Sequence, residues 1–249
     1  MTTTTGTPNG LTLTRHRLPA HVDLHLDSGP QNEIAVVLLS GRLDATGPHG
    51  DRHATRRDPF SEPASGWYLP QQARLTIRAA GQGADVIIAS SPTADPASGT
   101  GSPVALQAPA PQTRGTGSWE RDVTTVLEPP RTTGLLLGET IARDGRWSTY
   151  PPHRHERSNP PHESALQEAF AFRVRPASGF GVLLTYDDEV AQANSTVLGD
   201  GTLATVARGY HTVAAAAGHD LYYLWAAHGT VDTHFALHTD PEHAWLLDQ

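Results

Sequence analysis

Apolar residues in this chain come in short runs, separated at close intervals by turn residues. The runs are Ile34–Leu39, Leu75–Arg78, Asp85–Ala89, Leu135–Leu137, Phe170–Val174, Gly181–Leu184, Leu203–Val206, Thr212–Ala214 and Asp220–Leu224. Each has the length of a strand and is rich in β-branched or aliphatic residues. Long helical periods are scarce, and Gly and Pro recur throughout. Many short strands between Gly/Pro turns predict an all-β protein, built as a sandwich or barrel.

Three stretches interrupt the pattern. Ser90–Gly117 is dominated by Ser, Pro, Ala, Gly and Thr and reads as a linker, which divides the chain into units 1–115 and 116–249. Ala45–Ser65, with its RHATRRDP run, reads as a long loop in the first half. Tyr150–Ser164 (YPPHRHERSNPPHES) carries four prolines and reads as extended and irregular. Glu163–Phe172 is open between a helical turn and the start of a strand, and the final DPEHAWLLDQ suggests a terminal turn or short helix.

A length of 249 residues is enough for one large β-domain or two modest ones. The formal net charge is −8, with both signs interspersed, so the clustered cationic face that nucleic-acid binding requires is not expected. The chain has no cysteine, which excludes disulfides, thiolate metal sites, iron–sulfur clusters and cysteine nucleophiles. Any metal must be held by histidine and carboxylate. Lysine is also absent, so lysine Schiff bases, the usual pyridoxal-phosphate anchor and the P-loop lysine are excluded. The opening MTTTTGTPNG lacks the basic and apolar regions of a signal peptide, and no apolar run is long enough to span a bilayer. A cytoplasmic protein without a membrane partner is the expectation.

His153 and His155 flank a single residue. On an extended strand, positions i and i+2 project from one face, so two imidazoles would meet at a spacing a metal can use. The preceding Pro151 and Pro152 favour that conformation. Fourteen histidines make a chance pair common, so the pair alone is weak. Two further segments strengthen it. Leu166–Phe172 puts Glu168 at the mouth of an apolar strand, where a bare carboxylate is costly unless paired or coordinated. Ala207–His211 places His211 at the start of another strand. Such a donor set suits several divalent transition metals without choosing among them. His162, in the same loop as the His153 and His155 pair, reads as a decoy or a pocket residue, and His219, His228, His234, His238 and His243 read as solvated or hydrogen-bonded residues. The first half offers no His-x-His pair, since His49 and His53 lie four apart in a loop.

Taken together, YPPHRHERSNPPHESALQEAFAF, GFGVLLTYDD, LGDGTLATVARGYHTVAAAAGHDLYYLW and DPEHAWL resemble the 5-deoxy-glucuronate isomerase family of inositol catabolism. The resemblance covers most of Gly117–Leu247, and the first half shares only VVLLSGR and the general strand pattern. It implies a double cupin whose C-terminal barrel binds one divalent metal (Zn, Mn or Fe) through His153, His155, Glu168 and His211, with a metal-free N-terminal cupin. It also implies an aldose–ketose isomerase acting on a sugar acid, through a cis-enediolate. The base would come from Glu168, Tyr150, Glu163, Tyr186 or Tyr223. Tyr223 would also line the substrate site, and Arg173 or Arg208 would hold the carboxylate, against the blander readings of a surface strand residue and a turn cap. Several positions depart from the family pattern: Arg154 and Glu156 in PPHRHE, Gln167 in place of a glutamate, Ala171 in place of a common tyrosine, and Ala207 and Thr212 in place of prolines. Several of these would line or shape the pocket and so bear on the substrate. Another cupin reaction (dioxygenase, epimerase or lyase) and a non-catalytic sugar-binding cupin stay open beside the isomerase. Self-association that covers sheet edges is compatible with the sequence.

Overall fold

The computed structural model describes residues 1–46, 52–93, 101–230 and 235–248. The strands are β1 (Thr2–Gly6), β2 (Thr12–Leu18), β3 (Asp23–Asp27), β4 (Asn32–Thr46), β5 (Arg52–Arg56), β6 (Ser65–Leu69), β7 (Arg74–Pro92), β8 (Val104–Gln107), β9 (Gln112–Arg114), β10 (Arg121–Leu127), β11 (Leu135–Ala142), β12 (Trp147–Arg154), β13 (Ala165–Arg175), β14 (Gly181–Tyr186), β15 (Asn194–Leu198), β16 (Leu203–Val206), β17 (Tyr210–Ala215), β18 (Asp220–Thr230) and β19 (His238–Thr239). Helical structure among the described residues is confined to short 3-10 turns, the longest being Pro241–Asp248. All nine apolar runs lie in strands, so the all-β expectation holds.

β1–β8 form one sheet around the long pair β4 and β7. That pair bends back on itself. The start of β4 pairs with β6 and its end with β5, while the start of β7 pairs with β3 and its end with β2. The register of β4 on β7 shifts between Leu38 and Ser40 and again after Gly41. Gly41 has φ 103°, and a Cβ there would lie within 2.2 Å of the Gly83 carbonyl oxygen. Only glycine fits such a bulge, which turns the sheet's corner.

The remaining strands form two sheets, in the orders β16-β13-β18-β11-β10-β9 and β15-β14-β17-β12-β19. They face one another as a jelly-roll barrel. Strand alternation sorts its core. Phe170, Phe172 and Val174 of β13, with Leu221 and Tyr223 of β18, pack inward against Leu183, Leu198 and Val213. The intervening Ala169, Ala171, Tyr222, Leu224 and Ala226 point the other way, onto Leu11, Ala35, Val37 and Leu39 of the first sheet. β4 is thus covered on both faces, because Ile34, Val36 and Leu38 fill a separate core inside the first half. Burial on both sides explains the unbroken apolar run IAVVLL.

Two buried polar clamps join the halves. Arg56 donates to both oxygens of Glu139 (2.7 and 2.9 Å), and Tyr222 donates to the same carboxylate (2.5 Å). Glu33 accepts from the Tyr68 hydroxyl and from the backbone N–H groups of Thr133, Gly134 and Leu135, at 2.6–3.0 Å.

Three sequence expectations change. Ala45–Ser65 is not one loop, since Arg52–Arg56 pairs with Gly41–Ala45 in a hairpin; its turn, with His49, lies outside the described residues, and His53 is exposed on β5. Ser90–Gly117 is not simply a linker. β7 runs to Pro92, β8 adds to the sheet edge beside β6 and buries Leu106, and β9 pairs with β10, so a boundary drawn after residue 115 separates β9 from its partner. Prolines on either side confine β8 to an edge, where unpaired N–H groups are tolerated. Tyr150–Arg154 belongs to β12, and irregular chain begins only at His155. Glu163–Phe172 resolves into the start of β13.

Candidate metal centre and active site

The irregular stretch of β12 sets the geometry. Its register on β17 shifts between Ser148 and His153, and Thr149 adopts a positive φ of 53°. A bulge of this kind re-aims the side chains that follow it. Beyond it, His153 pairs directly with His211 of β17. His155 lies at the start of the loop to β13. That loop is held by Glu163, whose Oε1 accepts from the backbone N–H groups of Glu156 (3.0 Å) and Arg157 (3.1 Å). Glu156 in turn accepts from Gly209 N–H (2.8 Å), which ties the loop to the turn before His211.

The coordinating nitrogens of His153, His155 and His211 all lie within 4.8 Å of one another. Glu168, inward-facing on β13, brings Oε2 to 3.1 Å from His155 Nε2 and 3.4 Å from His211 Nε2. Two rings are oriented from behind. His155 Nδ1 meets the Leu166 carbonyl at 3.1 Å and His153 Nδ1 meets the Pro151 carbonyl at 3.2 Å. A carbonyl only accepts, so each Nδ1 carries a proton and Nε2 is the nitrogen that would face a metal. His211 is fully buried, and neither of its ring nitrogens has a partner with hydrogen-bond geometry. Orphaned nitrogens are rare in a folded interior, and one facing two imidazoles and a carboxylate suits a cation.

The charge states agree with that reading. Burial pushes the His153 and His211 imidazoles below their ordinary range, His153 strongly so and with a further push from the neighbouring rings. Burial alone would raise Glu168, but the hydrogen bond from His155 and the close approach of the His211 imidazole outweigh it and hold its carboxyl at about 2. His155 is also opposed by burial, yet its bond to Glu168 draws it upward. Neutral imidazoles and an ionised carboxylate are the forms in which these groups bind metal. Three imidazoles and one carboxylate therefore fit a divalent transition metal.

A cleft of about 100 Å³ opens onto Glu168, His153 and His155, with Thr149, Tyr223 and Trp225 on its walls. The Tyr223 hydroxyl is within 2.9 Å of that of Thr149 and 2.5 Å of that of Ser148. Trp225 crosses over Gly138, where a Cβ would lie 2.1 Å from the indole Cζ2, so glycine makes room for this wall. Larger concavities lie along Thr185–Arg208 (about 420 Å³) and around Phe60 and Glu139 (about 290 Å³), and neither holds a cluster of metal donors.

The structure does not bring the other sequence candidates to this cleft. Arg173 shares strand parity with Ala169 and Ala171, so it points to the seam between the halves and binds Asp200 (2.7 Å) and Asp85 (3.5 Å). Arg208 is exposed and pairs with Asp187 (2.7 Å). Tyr186 donates to Asp240 (2.6 Å) and stacks on Tyr210. Tyr150 packs against Trp119, Trp147 and His243. Glu163 is committed to its loop. Gln167 and Ala171, two of the departures expected near the pocket, face the other half: Gln167 Oε1 accepts from Asn9 N–H at 2.9 Å. Of the remaining histidines, His162 is exposed, His219 is half-buried with its Nδ1 3.0 Å from the Ala217 carbonyl, His228 has a shielded Nδ1 with no partner, and His234 lies outside the described residues. Sequence reading missed Arg121 and Arg114, which also line the cleft; their only signal was an arginine seven residues from another across a Gly-containing turn.

Comparison with known proteins agrees with the fold. Residues 4–246 match the KduI/IolB family. The chain belongs to that family. Among curated relatives, the 5-deoxy-glucuronate isomerase of Geobacillus kaustophilus is 38% identical over 136 residues, 54% of this chain and 49% of the relative. In that alignment the chain spans about half the length of its relative. The Bacillus licheniformis protein of the same name is 29% identical over 231 residues, 90% of this chain and 83% of the relative. Among solved structures, an IolB-like protein from Salmonella typhimurium superposes with a TM-score of 0.85 at 24% identity, over 95% of this chain and 90% of that one. A Bacillus subtilis oxalate decarboxylase superposes at 0.60 and 12% identity, covering 93% and 71%. These likenesses carry the double-cupin fold. No helix among the described residues is long and apolar enough to cross a membrane.

Proposed function

We propose that this KduI/IolB family member is a metal-dependent aldose–ketose isomerase acting on 5-deoxy-glucuronate or a closely related uronate. The observation that carries the reading is the convergence of His153, His155, His211 and Glu168 at the foot of an open cleft. These four residues would hold one divalent metal. When bound, it would supply Lewis-acid polarisation of the sugar carbonyl.

Moving the carbonyl from C1 to C2 requires a proton to leave C2 and return at C1, while a hydroxyl proton passes from O2 to O1. Of the carboxylates and phenols weighed as base, Glu168 and Tyr223 line the cleft. Glu168 is ionised, and Oε2 faces the two imidazoles, which leaves Oε1 to take the C2 proton and hand it to C1 through the enediolate. The Thr149 and Tyr223 hydroxyls would bond sugar hydroxyls and orient the chain, and Trp225 with Leu237 would keep water from the reacting carbons. The first half would act as a metal-free cupin that covers one face of the barrel.

The test is elemental analysis of the purified chain beside a His153→Ala/His155→Ala variant, followed by an isomerisation assay on 5-deoxy-glucuronate. About one equivalent of a transition metal, lost in the variant together with turnover, is expected. A wild-type chain that stays metal-free after reconstitution overturns the proposal.

A further inference from the structure

Arg114 and Arg121 face each other directly across the β9–β10 pair and both line the cleft that reaches Glu168. Like charges directly opposite on antiparallel strands repel. Neither makes an ion pair among the described residues. Arg131 and Arg52, the other arginines in that position, are exposed, whereas Arg121 is half-buried. Its guanidinium lies 5.4 Å from the Trp119 ring, and its hydrogen bond is to the Trp119 carbonyl at 3.3 Å. Gly115 makes room for it, because a Cβ there would come within 2.7 Å of Arg121 Nη1. Burial pushes the Arg121 pKa down, and the charge of Arg114 adds to that push. A shielded guanidinium beside a second one is a site built at a cost that an anion would offset.

We propose that Arg121, assisted by Arg114, is the subsite that binds the carboxylate of a sugar acid whose aldehyde end lies at the histidine cluster. This rests on the isomerase reading. A uronate carries its carboxylate at the end of the chain opposite its aldehyde, and one cleft is lined by both the two arginines and the donor cluster. The guanidinium fork matches a carboxylate through two parallel hydrogen bonds. Arg121 therefore discriminates uronates from neutral aldoses.

The experiment uses the metal-loaded full chain with Arg121→Gln, Arg121→Lys and the solvent-exposed Arg114→Gln. Tryptophan fluorescence, read through Trp225 and Trp119, follows titration with D-glucuronate and with D-glucose. Steady-state rates are measured on 5-deoxy-glucuronate and 5-deoxy-glucose, with metal content and melting temperature as controls. Arg121→Gln is expected to weaken D-glucuronate binding and raise KM for 5-deoxy-glucuronate by roughly tenfold to a hundredfold. The neutral sugars should be unaffected, metal content unchanged, and Arg121→Lys intermediate. Arg114→Gln should show a smaller loss of the same selectivity. Equal losses for acid and neutral sugars, or none, overturn the subsite. D-Glucuronate binding that depends on Arg121 in a chain that isomerises nothing supports the subsite and sinks the isomerase reading. Turnover of 5-deoxy-glucuronate that is indifferent to Arg121 does the reverse.

Discussion

Replacing Arg56 by alanine tests how the two halves depend on one another. The Arg56 side chain is wholly buried, and Glu139 is nearly so. Besides its two bonds to Glu139, Arg56 donates to the carbonyls of Leu38 and, twice, Glu62, at 2.7–3.1 Å. Arg56→Ala strips the guanidinium and leaves the Glu139 carboxylate buried, with Tyr222 as its remaining strong partner. Breaking a buried pair from one side costs about 3–5 kcal/mol, chiefly through the stranded charge. In a chain of this size each kcal/mol moves Tm by roughly 2–4 °C, so a fall of about 6–20 °C is expected. The control is Arg56→Met/Glu139→Leu/Tyr222→Phe, which removes the whole network. If the stranded charge is the cause, the triple variant loses less than Arg56→Ala alone. The assay is thermal unfolding by circular dichroism. An Arg56→Ala protein melting within about 2 °C of wild type, or a triple variant less stable than the single one, refutes the reasoning.

Other expectations follow from the same packing. Because Tyr222, Leu224 and Ala226 bury themselves on Ala35, Val37 and Leu39, a 116–249 fragment should expose that apolar face and lack a cooperative melt; a soluble fragment with a sharp transition would argue for independent halves. Gly138→Ala should displace Trp225 and cost about 1–3 kcal/mol, seen as a lowered Tm and an altered near-ultraviolet dichroism spectrum; an unchanged spectrum would contradict the close approach. Gln167→Glu adds a carboxylate beside Glu168 in sequence but keeps an acceptor for Asn9 N–H on the face away from the cleft, so metal content and KM should stay within about twofold. A large shift in either would place that side chain nearer the site than its strand parity allows. A strong chelator should lower Tm of the metal-loaded chain, as loss of any ligand that binds only the folded state does, and should leave the His153→Ala/His155→Ala variant unmoved.

Much of this protein was legible as one-dimensional pattern. Short apolar runs and frequent turns identified an all-β chain, because backbone hydrogen bonding and side-chain burial both repeat over two residues. The absence of cysteine restricted any metal to histidine and carboxylate, and the His-x-His pair with Glu168 and His211 marked the proposed donors. Those four are adjacent in space because strand neighbours β12 and β17 carry His153 and His211, the loop leaving β12 carries His155, and the facing β13 carries Glu168. Pairing and facing are properties of the tertiary structure. The same cause explains the arginines. Arg173 and Arg208 sit beside family motifs in sequence, yet strand parity turns one to the seam and solvent takes the other. Arg121 and Arg114 lie in a segment read as linker and its edge, with no motif to flag them. Which way a strand residue points depends on a register that shifts with every bulge, and register is decided by long-range pairing rather than by neighbours along the chain.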